Sequence, residues 1–254
     1  MSKINFKPGN MIYPLPAVMV SCGDIETASN ILTVAWTGTI CTNPPMAYIS
    51  VRPERYSYDM IKKSGEFVIN LTTEQLIKAT DFCGVRSGRD VDKWLKCNLT
   101  KEKADTVKCP LIAESPVNIE CKVTEIKELG SHHMFIADVT AVHVDESYMD
   151  KNNSFHLNDS NLLAYSHGSY FGLGNELGTF GYSIRKKKAA AKSSQKAEKK
   201  SRGKPPWLIL FLPDPPVLSQ KVLLPDPLNP SVHLSDYHLL LQKLLSGRIS
   251  SLSS

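Results

Sequence analysis

The chain has 254 residues, of which 42% are hydrophobic, so it is long and apolar enough to bury a sizeable core. Its formal net charge of +5 is uneven, because residues 1–184 carry 17 basic and 21 acidic side chains whereas residues 185–254 carry 13 and 4. The main part of the chain is therefore acidic, and this balance argues against nucleic-acid binding by that part.

The six cysteines and the N-terminal segment indicate a cytoplasmic protein. The cysteines lie 12 to 42 residues apart, with no C-x-x-C pair and no nearby histidine pair suited to zinc. We therefore expect free thiols in a reducing compartment and no metal site. The N-terminal segment lacks a basic stretch leading into an apolar run, and no apolar run approaches the roughly 20 residues of a membrane span. We expect a cytoplasmic protein that does not enter a membrane.

Short β-rich runs separated by turn residues extend from Val18 to Val144, which is typical of an antiparallel barrel or sandwich. From Asn118 to Val123 apolar and polar residues alternate, which predicts one face in the core and one in water. A turn is predicted at Asn43-Pro44-Pro45. The predicted strands are Val18–Ser21, Leu32–Ile40, Ala47–Arg52, Phe67–Leu71, Val117–Ile126 and Met134–Val144.

Helical signals are fewer than strand signals. Ser57–Lys63 is predicted as a short helix that ends at Gly65, and Thr73–Cys83 as a helix with a threonine near its start. A third short helix is predicted over Val91–Lys96, with Asp90 as its N-cap. The pattern favours a mainly β domain with short helices inserted between strands.

The composition changes abruptly after residue 186. A lysine- and alanine-rich run to Lys204 predicts disorder, and Pro205–Pro230 contains eight prolines. His233–Leu245 predicts at most a small amphipathic helix. Two explanations stay open: a natural basic tail, or an out-of-frame or read-through extension. The lack of any locally consistent packing pattern favours the extension.

Two arginines and two serines form a candidate phosphate site in the segment S-V-R-P-E-R-Y-S. A phosphomonoester carries nearly two negative charges and three acceptor oxygens, so its site needs cations and short donors. The guanidinium groups supply planar forks suited to phosphate, and the hydroxyls supply short donors. The alternative is an ordinary solvated loop. The candidates are Ser50, Arg52, Arg55 and Ser57.

Trp36 lies in the predicted strand from Thr33 to Ile40 and is a candidate to line a flat aromatic cofactor. A flavin needs backbone N–H and C=O groups for its pyrimidine edge and an apolar surface for its other edge. Small residues such as Ala35 and Gly38 let a ring approach the backbone closely. The alternative is a tryptophan in the core.

Three further segments carry candidate site residues. Cys83–Lys93 is a glycine-punctuated turn whose following helix start could hold an anion near Lys93, or it is a plain capping loop. His132 and His133 would face opposite sides of a strand, so at most one can serve a given site. A segment rich in aromatic residues and glycine begins at Ala164 and could cover a ring, pack at a subunit interface, or close over the core.

These segments together resemble the flavin reductase-like family, the FMN-binding split barrels that include flavoredoxin. The resemblance covers about residues 8–187 and ends with a family-like phrase at Leu177–Lys186, so the tail lies outside it. The motifs that carry it, in order, are T-V-A-W at Thr33, N-P-P at Asn43, S-V-R-P-E-R-Y-S-Y at Ser50, S-G-R-D-V-D-K at Ser87, P-V-N-I-E-C-K-V at Pro116 and A-Y-S-H-G at Ala164.

The resemblance implies a Greek-key split β-barrel over residues 1–187 that dimerises and holds FMN non-covalently near the subunit interface, followed by a separate tail over residues 188–254. It implies that His132, rather than His133, belongs to the site, because His132 follows the family's G-x-H spacing. Either Tyr165 or Phe171 would supply a covering aromatic ring. The residues implied to hold FMN are Asn30, Thr33, Ala35, Trp36, Ser50, Arg52, Arg55, Ser57, Lys93, His132, Tyr165 and Phe171.

The resemblance leaves three functions open. The first is an oxidoreductase in which FMN takes electrons from NADH or NADPH and passes them to flavin or another small molecule. The second is an electron carrier that exchanges electrons with a redox protein and has little nicotinamide activity. The third is a protein in which FMN is only a structural or sensory ligand. The absence of a G-x-G-x-x-G fingerprint does not decide among them.

Overall fold

The computed structural model describes residues 1–184. The predicted tail, residues 188–254, and its two explanations lie outside the described residues. The described residues contain twelve strands: β1 (Leu15–Pro16), β2 (Val18–Gly23), β3 (Ser29–Val34), β4 (Thr37–Thr42), β5 (Pro45–Val51), β6 (Glu66–Asn70), β7 (Lys101–Glu102), β8 (Leu111–Ile112), β9 (Val117–Leu129), β10 (His132–Val144), β11 (Leu163–Ser166) and β12 (Ser169–Gly172).

Seven strands form one antiparallel sheet in the order β3-β2-β6-β9-β10-β5-β4. Strands β3 and β4 occupy opposite edges of this sheet, yet only Ala35 and Trp36 separate them in the chain. Because this connection spans at most about 11 Å, the sheet must curl until its two edges approach each other. A hydrogen bond from Ser50 N to Trp36 O, 2.8 Å long, joins the connection to β5. The predicted mainly β split barrel is confirmed.

Helices cover the barrel where the sequence predicted them, with different starts. The helix α1 (Tyr56–Ser64) ends at Gly65 in the left-handed conformation, as predicted. Thr73 opens a 3-10 turn over Glu74–Leu76, and α2 (Ile77–Val85) follows it without a break. Further 3-10 turns lie at Glu146–Tyr148, Leu157–Ser160 and Tyr182–Ile184.

The third helix, α3 (Lys93–Lys96), begins later than the predicted helix Val91–Lys96. Its N-cap is Asp92, not Asp90, because the Asp92 carboxylate accepts hydrogen bonds from the backbone N–H groups of Trp94 and Leu95. Those donors are therefore already used. The prediction that the backbone donors at the start of this helix hold an anion is therefore wrong, whereas the assignment of Lys93 itself to the site stays a prediction.

The predicted single strand Leu32–Ile40 is wrong, because the chain bends at Ala35 and Trp36 and continues as a separate strand. The bend moves the chain from one edge of the sheet to the other. Trp36 consequently lies half-buried outside both strands, which also rules out the alternative of a core tryptophan. Gly38 packs against the ring of Tyr48 rather than opening a cofactor surface.

The predicted alternation of core-facing and water-facing residues along β9 is also wrong in part. Asn118 and Glu120 were predicted to face water, but both are buried. Asn118 Nδ2 donates to Asn70 Oδ1 at 2.7 Å, and Glu120 accepts hydrogen bonds from the loop that contains Thr106. The polar face of β9 is therefore covered by loops, and its polar groups find partners within the protein.

The core has two main parts, on the two faces of β2 and β3. Val20 and Leu32 point into the barrel with Phe67 and Phe135. Met19 and its neighbours on the opposite face pack beneath α2 and α3. The alternation of side chains along a strand therefore explains why this edge of the barrel is buried on both faces.

The six cysteines are free thiols, as predicted. Among the described residues, no helix has the length and apolar character needed to span a membrane.

Candidate functional site

Two adjoining clefts lie at the open edge of β3. Their volumes are about 140 and 180 Å³, each below the roughly 300 Å³ at the low end of ligand pockets. They share Leu32, Thr33 and Arg55, so the two clefts are contiguous. We call the first the basic cleft and the second the tryptophan cleft.

The basic cleft brings together four cationic side chains and two serines. Asn30 Nδ2 donates to Ser57 Oγ at 2.7 Å, and Ser57 is only 1% exposed, so both polar groups are held rigidly. The Arg55 guanidinium donates to Gly84 O at 3.1 Å, and Arg89 lies over the ring of Tyr56. Its charged and hydroxyl-bearing lining residues are Glu54, Arg55, Ser57, Arg86, Ser87, Arg89 and Lys93.

Lys93 is the buried cation of this cleft, with 3% of its surface exposed. Its ammonium group donates to Ile31 O at 2.7 Å and to Cys83 O at 2.9 Å, which ties β3 to the end of α2. Burial lowers the pKa of Lys93, Cys83 opposes this change, and the nearby charge of Arg55 lowers the pKa further. An ammonium group has three N–H donors, so one donor remains for a ligand in the cleft.

The tryptophan cleft is formed where the chain bends between β3 and β4. Trp36 and His132 stack with ring centroids 4.3 Å apart at an angle of 41°. Burial lowers the pKa of His132, and the charge of Arg52 lowers it further, which favours the neutral imidazole. Both rings line the cleft together with Ala35, Ser50, Val51 and Arg52.

The outer edge of β3 turns backbone polar groups away from the sheet. Because β3 is an edge strand, every second residue turns its N–H and C=O away from β2. Ile31 O is turned outward, since it accepts a hydrogen bond from Lys93, and the alternation along β3 turns the backbone groups of Thr33 the same way. The Thr33 hydroxyl itself donates to Thr80 O, so this residue offers its backbone rather than its side chain.

A third cleft, here called the tyrosine cleft, is also lined by Thr33 and Ala35 and includes Tyr165 and Tyr170. Tyr165 pairs with Tyr170 across β11 and β12, so both rings lie on one face of this hairpin. Phe171 lies on the opposite face, is 53% exposed, and lines none of the three clefts. Of the two aromatic candidates, the structure places only Tyr165 beside the predicted site.

The structure divides the predicted phosphate residues between the clefts. Ser57 lines the basic cleft, Ser50 and Arg52 line the tryptophan cleft, and Arg55 lines both. Asn30 and Lys93 join the basic cleft, while Ala35, Trp36 and His132 join the tryptophan cleft.

Sequence reasoning missed Arg86, Ser87, Gly88 and Arg89 as cleft residues. A signal for an anion site was present in the segment C-G-V-R-S-G-R-D, which has one arginine before and one arginine after Gly88. An added Cβ at Gly88 would meet the side chains of Asn30 and Tyr56, so this glycine permits the close approach of the loop to β3.

Comparison with protein families gives one match over most of the described residues. The model described as "Flavin reductase like domain" matches residues 11–174. Among individual proteins, an uncharacterized protein of Archaeoglobus fulgidus is 30% identical over 139 residues, which make up 55% of this chain and 77% of that protein.

Two solved structures share the fold over their whole length. Flavoredoxin of Desulfovibrio vulgaris (Miyazaki F) is 27% identical with a TM-score of 0.67, covering 72% of this chain and 100% of that one. Flavoredoxin from Methanosarcina acetivorans is 26% identical with a TM-score of 0.65, covering 73% of this chain and 100% of that one.

Proposed function

Because the chain belongs to the flavin reductase-like family, we propose that it is an oxidoreductase that holds FMN in the joined basic and tryptophan clefts. The proposed electron donor is NADH or NADPH, and the acceptor is free flavin or another small molecule. One observation carries the proposal: the cationic basic cleft and the aromatic tryptophan cleft meet at Thr33 and Arg55. FMN has a phosphate at one end and an aromatic ring at the other, so it needs both kinds of surface side by side.

The basic cleft fits the phosphate of FMN. Arg55, Arg86, Arg89 and Lys93 offer the positive charge that a phosphomonoester needs, and Ser87 offers a hydroxyl. Gly88 has no side chain to fill the space beside Asn30. These residues would bind and orient the cofactor through its phosphate.

The tryptophan cleft fits the ring of FMN. The backbone groups of Thr33 would pair with the polar edge of the ring, and the small side chain of Ala35, which also lines this cleft, allows close approach. Trp36 and His132 would supply an aromatic wall and exclude water from one side. When bound, FMN supplies the redox chemistry, accepting a hydride from a reduced nicotinamide and passing electrons on.

A flavoredoxin-type electron carrier is the second candidate function. The likeness to two flavoredoxins, each covered over its full length at 26% to 27% identity, favours this candidate. In a carrier, the same clefts would hold FMN, but the electrons would come from a redox protein rather than from a nicotinamide.

An anaerobic titration separates the two candidates. The full chain is loaded with FMN, freed of excess cofactor, and mixed with NADH or NADPH without oxygen. Bleaching of the visible flavin band within seconds supports the oxidoreductase, whereas an unchanged band that bleaches with dithionite supports the carrier. If no FMN is retained after reconstitution, both candidates fail.

The proposal includes a homodimer. Five large apolar side chains near the two ends of the described segment are 80% to 95% exposed, and a second copy of the chain would remove them from water. Sedimentation analysis should give twice the mass of one chain, and a monomer at all concentrations would contradict this part. These side chains are Ile4, Phe6, Ile12, Leu177 and Ile184.

A further inference from the structure

The tyrosine cleft adjoins the proposed ring site. It shares Thr33 and Ala35 with the tryptophan cleft and Gly84 with the basic cleft. Its volume of about 300 Å³ reaches the lower end of the range for small-molecule pockets. The cleft therefore has room for a small ring next to the proposed flavin ring.

Two tyrosine rings shape this cleft and one carboxylate gives it a charge. The rings of Tyr165 and Tyr170 lie 5.4 Å apart at 60°. Tyr170 Oη donates to Asp81 Oδ1 at 3.3 Å. Burial and the charge of Asp81 raise the pKa of Tyr170 to about 12, so the hydroxyl keeps its proton and holds the carboxylate in place at neutral pH.

Asp81 is the single charged side chain among the described residues that line the tyrosine cleft. The arginines at the start of the neighbouring loop line the basic cleft instead. The two clefts therefore have opposite charge, although Gly84 belongs to both. An anion in the tyrosine cleft would be repelled by Asp81, whereas an uncharged ring would pack against the tyrosines without that repulsion.

We propose that the tyrosine cleft binds the second reactant and selects planar rings without negative charge over aromatic anions. This inference rests on the proposed function, since a second reactant requires a flavin in the tryptophan cleft. The charge selection itself depends only on Asp81 and the tyrosine rings.

Benzamide and benzoate test the selection, because they have nearly the same shape and differ in charge. Each is titrated into the full chain saturated with FMN, so that the basic cleft is occupied. Binding is followed by NMR at the backbone amides of Gly168 and Tyr170, which line the tyrosine cleft and not the basic cleft. Benzamide should bind about tenfold more tightly than benzoate, which is the effect of one moderately screened carboxylate.

Two substitutions should change this preference without disturbing the fold. Asp81→Asn keeps an acceptor for Tyr170 and removes the charge, so the two affinities should come within about threefold of each other. Val85→Lys adds a cation at the end of α2, where Val85 is 70% exposed and a positive charge suits the helix terminus. Benzoate should then bind more tightly than benzamide. Glu102→Gln, an exposed acidic residue outside the cleft, is the control and should keep the wild-type preference.

The inference is overturned if benzoate binds the wild-type chain as tightly as benzamide, if neither substitution alters the preference, or if neither probe shifts the two amides. If the chain retains FMN but neither probe changes the NMR signals of the Gly168 and Tyr170 amides, the inference is overturned and the proposed function still stands. If the chain retains no FMN but still prefers benzamide through Asp81, the selective cleft is supported and the proposed function fails.

Discussion

Arg55 lines both the basic and the tryptophan clefts, so this one side chain can contact a ligand in either cleft. It lies just before α1 and reaches across to Gly84 O at the end of α2. Arg52 lines only the tryptophan cleft, and its Nε lies 3.6 Å from Glu54 Oε2. The two arginines, which look equivalent in the sequence, therefore have different surroundings.

Arg55→Ala should weaken FMN binding roughly 10- to 100-fold, because charge-assisted hydrogen bonds contribute about 1.5–3 kcal/mol. Arg52→Ala should weaken it less, since Arg52 lines only the tryptophan cleft. Fluorescence quenching of FMN measures both affinities. Lys78→Ala is the control, because Lys78 is an exposed cation of α2 outside the clefts. Wild-type affinity in the Arg55 variant would contradict the phosphate assignment.

Gly88→Ala should lower both FMN affinity and stability. The added methyl group would lie 2.7 Å from Tyr56 Cδ1 and would also meet the Asn30 amide, so both side chains must shift. We expect at least about a tenfold loss of FMN affinity and a fall of about 1–3 kcal/mol in the free energy of unfolding. Gly174→Ala has open space around it and serves as the control. Equal behaviour of the two variants would show that close packing at Gly88 is unimportant.

At the scale of elements, the basic cleft exists because β3, α1, α2 and α3 meet there. Lys93 draws the edge of β3 and the end of α2 together through two carbonyl groups. The loop after α2 then closes over Asn30 at Gly88. No one of these elements forms the cleft alone.

Glu120 connects two other elements, since its carboxylate on β9 holds the loop at Asp105 and Thr106 and also His143 on β10. Both oxygens already accept hydrogen bonds of 2.6–2.8 Å from within the protein. Asp105, Glu120 and His143 bring their ligand-type atoms within 4.8 Å of one another, but these bonds give Glu120 a structural role. Burial alone would raise the pKa of Glu120, whereas the hydrogen bonds lower it to about 2.

The free energy of unfolding should therefore fall as the pH decreases from about 4.5 towards 2. The pKa of Glu120 is lower in the folded than in the unfolded chain, so its stabilisation is complete above the unfolded value of 4.5 and is lost on protonation. Urea unfolding at several pH values measures this slope. Glu120→Gln should be less stable by about 1–3 kcal/mol near neutral pH and should show a smaller slope. Glu26→Gln, exposed and outside this network, should keep the wild-type slope, and an unchanged slope in the Glu120 variant would refute the assignment.

At the scale of the whole molecule, closure of the barrel creates the site. The site lies where the two edges of the seven-stranded sheet approach each other, at Ala35 and Trp36. The three clefts are lined by residues between Ala17 and Tyr170. The family match, residues 11–174, spans all of them.

A chain that ends at residue 187 should therefore retain FMN as the full chain does and should unfold at the same temperature. Flavin content per chain and the thermal midpoint measure this outcome. A chain that ends at residue 162 lacks β11 and β12 and with them two walls of the tyrosine cleft, so its midpoint should be lower. Lower flavin content in the chain that ends at residue 187 would show that residues 188–254 contribute to the site.

Local sequence patterns were enough to predict the mainly β class, the positions of most strands and the end of α1 at Gly65, and they indicated residue types suited to an anion site beside an aromatic ring. These features depend on local patterns, because alternation, turn residues and charge are read along the chain. Three features became apparent only from the three-dimensional fold: the break of the strand at Trp36, the burial of Glu120, and the position of Arg86 and Arg89 in the basic cleft. Each of these depends on segments far apart in the chain that meet when the sheet closes, and a pattern along one strand contains no information about what covers it.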